Sequence, residues 1–586
     1  MNMKQLMTKW ADNINEKNVL GEYPRPLMRR KSYVNLNGIW KYAIRETKGF
    51  PKKMDGDILV PFSPEAVLSG VNRQLKPEEY LWYKRRLPDE VKPEKGSRWI
   101  LHFGAVDQCA VVYINGKKQG KHVGGYLPFS YDITEALKEE KNLLTVKVRD
   151  YSETCYYSRG KQKLKNGGMF YTAQSGIWQT VWIEKVPECY IGHLKITPLY
   201  DQSSIMIQME EEHGIKDIDY EVTITARKMW PVKASGKTGK PCVIMIPHMR
   251  SWSPEDPFLY DLHVRMGEDS VESYFAMRKV EVKNDKEGIP RIFLNNEPYF
   301  EKGVLDQGYW PDGLYTPPCD EAMIYDIQKM KDLGFNMIRK HIKIEPQRWY
   351  YHCDRIGMLV WQDMVNGGRD YKSWYVTYMA TAMEGMHIRA KDTRIHLMGR
   401  QDPAGQRQFE KEIKETVRLL YNHPSIVTWV IFNEGWGQFQ TKKMTDIVRA
   451  EDPYRLTDSA SGWFDQGCGD IRSIHDYFFP LHVTPEKRVT ALTEFGGYSL
   501  QIPKHSMYEK KVYGYKKFKR KRELTAGYEK LIKKLIIPNI SRGLSATVYT
   551  QLSDIEEEVN GIISYDRKIV KMDEKTVKKL NEKLHF

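Results

Sequence analysis

The sequence is poor in cysteine, and its cysteines fall into none of the spacings that usually signal a role. Seven of them lie far apart in 586 residues, at positions 109, 155, 189, 242, 319, 353 and 468. No CxxC pair occurs, so neither a zinc knuckle nor a redox dithiol is indicated, and an odd, scattered set argues against a disulfide framework. HExxH and the GxxxxGK[ST] phosphate loop are missing too, which removes the motif-based routes to a zinc protease and a nucleotide hydrolase. Nothing reads as eighteen apolar residues in a row, so no membrane span is expected. The opening MNMKQLMTKWADNINEKN lacks the apolar stretch of a signal peptide. A cytoplasmic protein with free thiols and no membrane partner is the expectation.

What is present suits an ordinary globular chain. Hydrophobic residues make up 41% and charged residues 28%, too apolar for a disordered chain. The length exceeds what one core supports, which predicts two to four domains. Aromatics reach 12%; Trp and Tyr serve both as β-sheet core and as platforms for sugar rings. The formal charge of +15 fits an acidic substrate, nucleic acid or plain solubility. Its densest source is Lys510 to Arg522, KKVYGYKKFKRKR, where Tyr513, Tyr515 and Phe518 interleave with the cations. Such a pattern binds single strands in some proteins and is a solvated loop in others. No nucleic-acid module accompanies it, so no nucleic-acid partner is expected.

Three textures follow one another. Residues 1–190 alternate short strand-like runs with turns, as in WILHFGAVDQCAVVYING (Trp99 to Gly116), LLTVKVRD (Leu143 to Asp150) and WQTVWIE (Trp178 to Glu184). Asn115-Gly116 between apolar runs is a hairpin signal, because both residues tolerate positive φ. The reading is an antiparallel jelly-roll β-sandwich. Residues 191–284 keep this rhythm in shorter compass and suit an immunoglobulin-like β-sandwich. From 285 to 586, strands alternate with helices. Strands are predicted at 335–340, 358–363, 425–433, 471–475, 489–494 and 546–550, and helices at 320–333, 346–356, 406–421 and 523–536. Near-continuous apolar strands between helices indicate a buried parallel sheet. About 300 residues of such units match a C-terminal (β/α)8 TIM barrel, typically ~250 residues. A doubly wound sheet is the competing fold, but no glycine-rich phosphate turn follows the first strand.

Chemistry in a βα barrel sits where strands end. SIVTWVIFNEGWGQF closes an apolar strand on Asn433-Glu434, and RVTALTEFGGYSL closes one on Thr493-Glu494, with Gly496 and Gly497 behind. A glutamate ending an apolar run costs desolvation free energy unless it has a partner or a task. One such residue is more often a strand-end salt bridge. Two on one barrel fit the paired carboxylates of glycosidic cleavage, one protonating the departing oxygen and one attacking the anomeric carbon or activating water.

The chain resembles glycoside hydrolase family 2, the β-galactosidases, β-glucuronidases and β-mannosidases, over nearly its whole length. The resemblance is carried by LNGIWKY (Leu36 to Tyr42), YINGK (Tyr113 to Lys117), GGYLPFSYDIT (Gly124 to Thr134), SGIWQTVWIE (Ser175 to Glu184), WSPEDPFLYDL (Trp252 to Leu262) and both glutamates. It implies a retaining exo-β-glycosidase without a cofactor, in which Glu494 is the nucleophile and Glu434 the acid/base. It further implies that Asn433 holds the sugar 2-OH, that Arg339 orients the nucleophile and that Tyr477 hydrogen-bonds it. His475, Asp306, Trp310, Trp361 and Asp363 lie near predicted strand ends and are candidates for binding sugar hydroxyls or stacking on the ring. No metal-ligand spacing is seen, although single carboxylates could hold Mg²⁺ or Na⁺. Sandwich domains in this family often mediate dimers, so a homo-oligomer is possible.

The sugar is less legible. The family histidine expected three residues after Arg339 is displaced, since the chain reads Arg339-Lys340-His341-Ile342-Lys343. The Asn-x-Lys pair that holds the carboxylate in glucuronidases is replaced within DIEEEVNGIISYDRK, where Glu556, Glu557 and Glu558 would repel a carboxylate if they faced the site. No Trp-Gly-Gly of the β-mannosidase kind follows Arg339. A β-galactoside is therefore the expected substrate, with a β-glucuronide as the alternative. A non-catalytic carbohydrate-binding protein is the reading from another class, and retention of both glutamates argues against it.

Overall fold

The computed structural model describes residues 6–385, 390–478, 481, 483–510 and 512–586. Strands between 34 and 187 build one antiparallel sandwich of a six-stranded and a four-stranded sheet, with two short two-stranded additions. The predicted hairpin is there. Cys109–Ile114 pairs antiparallel with Lys117–Val123 across a two-residue turn in which Asn115 (φ 52°) and Gly116 (φ 82°) are both left-handed. Leu101, Phe103, Val112, Val146 and Ile183 fill the core between its sheets.

Strands from Ile191 to Phe275 form a second, smaller sandwich of three and four strands. Tyr260–Met266 alternates buried and exposed residues along its length, the period-two pattern of a strand with one face on a core. Arg30 clamps the two sandwiches together. Its guanidinium donates to Glu184 at 3.0 Å and to both oxygens of Asp269 at 2.8 and 3.0 Å.

The C-terminal part is the barrel. Its strands are β1 (Glu301–Asp306), β2 (Met337–Lys340), β3 (Leu359–Asp363), β4 (Ile426–Val430), β5 (Leu456–Asp458), β6 (Ile471–Asp476), β7 (Val489–Gly496) and β8 (Leu544–Thr550). They run parallel in the order β5-β4-β3-β2-β1-β8-β7-β6. The edges β5 and β6 meet, with the amide of Asp470 donating to the Thr457 carbonyl at 2.8 Å. The outer layer includes α1 (Asp320–Asp332), α2 (Gln347–Ile356), α3 (Pro403–Leu420), α4 (Thr441–Glu451) and α5 (Lys521–Leu531). Every residue of β3, β4, β7 and β8 is buried, as expected of strands covered on both faces. Among the described residues no helix is long and apolar enough to cross a membrane.

Two details differ from the sequence expectation. The ladder of β4 stops at Val430, yet the chain runs on beside β5, with Asn433 bridging Ser461. Glu434 then takes a left-handed φ of 50°, a conformation uncommon for a non-glycine residue and a frequent mark of a functional position. Glu494 lies two residues before the end of β7 rather than at its end.

Candidate active site

At the C-terminal mouth of the barrel the two glutamates face each other. Glu434, His475 and Glu494 each present a ligand-type atom, and these atoms lie within 4.8 Å of one another. Such a cluster also meets the spacing of a metal-ligand set. His475 stands between the carboxylates: Nδ1 is 2.9 Å from Glu434 Oε1, and Nε2 is 3.0 Å from Ser461 Oγ and 3.7 Å from Glu494 Oε1.

Glu494 is held from both sides. Tyr477 donates its hydroxyl to Oε2 at 2.5 Å, and Arg339 Nη1 reaches Oε1 at 3.3 Å. Burial raises the Glu494 carboxyl, but the surrounding His475, His341, Arg339 and Lys161 side chains outweigh burial and lower it from the usual carboxylate range. Tyr477 is buried beside this carboxylate, and both effects push its hydroxyl well above its ordinary value. It is therefore a donor at any ordinary pH. The glycines after Glu494 make room for this arrangement. A Cβ on Gly496 would lie 2.4 Å from the Tyr549 ring, and one on Gly497 would lie 2.4 Å from Tyr515. Tyr515 stacks on Tyr477 with ring centroids 4.1 Å apart.

Arg339 is fully buried and organises one wall. It makes two parallel bonds to Asp363, at 2.9 and 3.0 Å, and donates to Asn433 Oδ1 at 2.8 Å and the Thr493 carbonyl at 3.2 Å. Asn433 therefore presents its amide nitrogen, which is buried without a partner among the described residues. His341 also belongs here, although its register had left it unplaced. Its Nδ1 lies 2.9 Å from Asp363 Oδ2, so Nδ1 carries the proton, and Nε2 is buried without a partner among the described residues. Burial, with Lys161 and Arg339 nearby, pushes its imidazole well below the ordinary value. Ile342 takes a φ of 51°; the chain thus leaves the strand just after His341, where strand alternation no longer predicts side-chain direction.

Of the predicted residues, the structure brings Glu434, Glu494, Asn433, Arg339, Tyr477, His475 and Asp363 together. It places Asp306, Trp310 and Trp361 elsewhere. Asp306 accepts from Lys340, whose ammonium lies over the Trp349 ring of α2, on the helix side of the sheet. Trp361 points down the barrel and donates to Glu301 at 2.6 Å. Trp310 packs under Arg567 at 4.2 Å and edge-on to Trp10.

Several pocket residues carried no sequence signal. Trp436 stacks on Tyr371 with centroids 5.7 Å apart, and Phe170 of the jelly roll leans on it at 5.8 Å. Lys161, also from the jelly roll, lies with its ammonium 5.3 Å from the Trp436 ring. The three glutamates after β8 are engaged by the jelly-roll loop. Glu556 accepts from Asn166 Nδ2 at 2.6 Å and the Thr172 amide at 2.9 Å, Glu557 from the Gly168 amide at 3.0 Å, and Glu558 from the Tyr171 hydroxyl and from Asn560 Nδ2 at 2.8 Å. In the basic run, Lys516, Lys517 and Lys519 are exposed, and Lys516 sits over Tyr498 and Phe518. Lys511 lies outside the described residues.

The chain matches the family models described as glycosyl hydrolases family 2, TIM barrel domain, over residues 319–494, and glycosyl hydrolases family 2, sugar binding domain, over residues 71–187. A protein of Formosa agariphila named as a β-glucuronidase is 23% identical over 436 residues, covering 70% of this chain and 47% of that protein. The β-galactosidase of Thermoanaerobacter pseudethanolicus is 24% identical over 510 residues, covering 80% and 61%. The chain thus spans about half the length of these curated relatives. The solved β-D-glucuronidase of Dictyoglomus thermophilum superimposes with a TM-score of 0.74 at 17% identity, over 96% of this chain and 99% of that one.

Proposed function

The chain belongs to glycoside hydrolase family 2, and from that premise we propose that it hydrolyses a terminal β-linked sugar with retention of configuration. The observation that supports this best is the separation of the two carboxylates, whose facing oxygens lie within 4.8 Å. Retaining enzymes bring the pair to about 5–5.5 Å, whereas inverting enzymes leave about 6.5–9.5 Å for a water between them. In the first step Glu494 attacks the anomeric carbon as the bond to the aglycone oxygen breaks, and Glu434 gives that oxygen its proton. In the second, Glu434 takes a proton from water, the water oxygen attacks the anomeric carbon and the Glu494 ester bond breaks. Charge supports these roles: Arg339 and Tyr477 reach Glu494 and stabilise it as the anion. Asn433 Nδ2 and His341 Nε2, without partners among the described residues, offer a donor and an acceptor for sugar hydroxyls.

Two substrate readings stand. A β-galactoside suits the replacement of the Asn-x-Lys pair. A β-uronide is supported by the relatives named as β-glucuronidases, with Glu556, Glu557 and Glu558 set against it, since the groups of the jelly-roll loop that donate to them are uncharged. The test is initial rates on p-nitrophenyl β-galactoside, β-glucuronide, β-galacturonide, β-glucoside and β-mannoside, for wild type and Glu494→Gln. Turnover of one sugar with a retained β-product by NMR, abolished in the variant, is expected. An α-product would overturn retention, and full activity of Glu494→Gln would overturn the nucleophile.

A further inference from the structure

Lys161 is delivered into the barrel mouth by a rigid strut of the jelly roll. Ser158 bridges Gly367, and the amides of Arg159 and Gly160 both donate to the Asn366 carbonyl, at 3.2 and 2.9 Å. Asn366 in turn accepts the Asn433 amide on its side chain at 3.1 Å. On the other side, Gln162 is pinned inside the jelly roll by Asp107 at 3.0 Å and Tyr126 at 2.9 Å. The Lys161 backbone is therefore fixed at both ends, one residue from the sandwich core and two contacts from the acid/base loop.

Its side chain has no corresponding anchor. Lys161 is only 7% exposed, yet among the described residues its ammonium makes no hydrogen bond or ion pair and rests beside the Trp436 indole. The neighbouring cations are all engaged: Arg159 and Lys163 meet Asp370, and Arg339 meets Asp363 and Glu494. So enclosed a side chain leaves its ammonium few water partners, and the face of the indole offsets only part of that loss. Three N–H donors remain for a ligand. The ammonium acts electrostatically on Glu494 and His341, and the Trp436 indole beside it follows Glu434 by two residues.

We propose that Lys161 is a specificity residue that binds an anionic oxygen group carried by the terminal sugar, a ring carboxylate or a sulfate ester. The inference rests on the glycosidase reading for its substrate but names a contact that is measured without turnover. A charge-assisted hydrogen bond of this kind sets the expected effect at roughly 10- to 100-fold in affinity.

The experiment is calorimetric or NMR titration of the intact protein with glucuronate, galacturonate, galactose 6-sulfate and galactose, for wild type, Lys161→Met and Lys161→Arg. Wild type is expected to bind one of the anionic sugars more tightly than galactose. Lys161→Met is expected to lower the ratio of anionic to neutral affinity at least tenfold, and Lys161→Arg to retain most of it. Whether a carboxylate or the sulfate binds best separates the two chemistries. Equal weakening of anionic and neutral sugars in Lys161→Met would overturn the proposal and leave Lys161 as a support for Glu494. So would a wild type that binds no anionic sugar better than galactose. The p-nitrophenyl rates separate this from the reading beneath it. Lys161-dependent binding without turnover refutes the glycosidase and keeps the contact, while galactoside turnover with no preference for anions does the reverse.

Discussion

Tyr477→Phe removes one oxygen atom and tests how Glu494 is held. The hydroxyl lies 2.5 Å from Glu494 Oε2 and 3.1 Å from Thr550 Oγ1, while the ring stacks on Tyr515 at 4.1 Å. Phenylalanine keeps the stacking, so the apparent unfolding temperature is expected to stay within a few degrees of wild type. The lost bond is charge-assisted, worth about 1.5–3 kcal/mol. In the second chemical step Glu494 departs from the anomeric carbon as a carboxylate, and a donor on that oxygen stabilises the charge it regains. Without the donor, breakdown of the glycosyl-enzyme slows. At about 1.4 kcal/mol per tenfold, kcat is expected to fall roughly 10- to 150-fold. With a good leaving group such as p-nitrophenolate, formation of the intermediate then outruns its breakdown. The assay is stopped-flow absorbance, where a burst of one p-nitrophenolate per site should precede the slow steady state. The sign of the pH effect follows as well. A donor to the ionised form lowers a carboxyl, so its removal raises Glu494, and the acidic limb of kcat/KM moves to higher pH. A variant with kcat within twofold of wild type, no burst and an unmoved acidic limb would refute the assignment of Glu494 as a nucleophile held by Tyr477.

Two further expectations concern the framework. Arg339→Met strips Asp363 and Glu494 of the guanidinium that bridges them in a fully buried setting; stranding a buried charge costs about 3–5 kcal/mol, so thermal unfolding should shift down by several degrees, and an unchanged melt would refute the account. Glu184 joins Arg25 and Arg30 at 2.8 and 3.0 Å; burial raises its carboxyl, but Arg25, His102 and Arg30 outweigh that and lower it. A depressed carboxyl contributes its stability above the unfolded value of about 4.3 and loses it as pH falls toward the folded value. Melting temperature against pH should therefore drop steeply below about 5 in wild type and be flatter in Glu184→Gln, which starts lower; parallel curves would refute the clamp.

The barrel was legible wherever a strand is long and apolar. SIVTWVIFN and RVTALTEF give themselves away because both faces of a barrel strand are covered. The two strands not located in advance are those without such a run. β1 reads EKGVLD, with a buried glutamate paired to Trp361, and β5 is three residues long. Trp361 shows the limit of position alone. A strand-end tryptophan looks like a sugar platform, but in a barrel the side chain of a late strand residue can point down the axis as readily as up, and the carboxylate of Glu301 draws this one down.

Lys161, proposed to select the sugar, was hidden for a different reason. Glu434 and Glu494 end up together because two strands of one sheet carry them, and parallel-sheet patterning is written in the local sequence. Lys161 reaches the same cleft from another domain, out of the stretch SRGKQKLKNGG, which by itself reads as a polar turn. Only the docking of that loop on Asn366 and the burial of Gln162 turn it into part of the barrel wall. The same docking settles the acidic run after β8. Three glutamates that read as a free acidic run accept hydrogen bonds from Asn166, Thr172, Gly168 and Tyr171. Contacts of this kind across a domain interface have no local signature in the sequence. The paired glutamates are thus written along the barrel, while Lys161, proposed to select the sugar, comes from the jelly roll that closes over it.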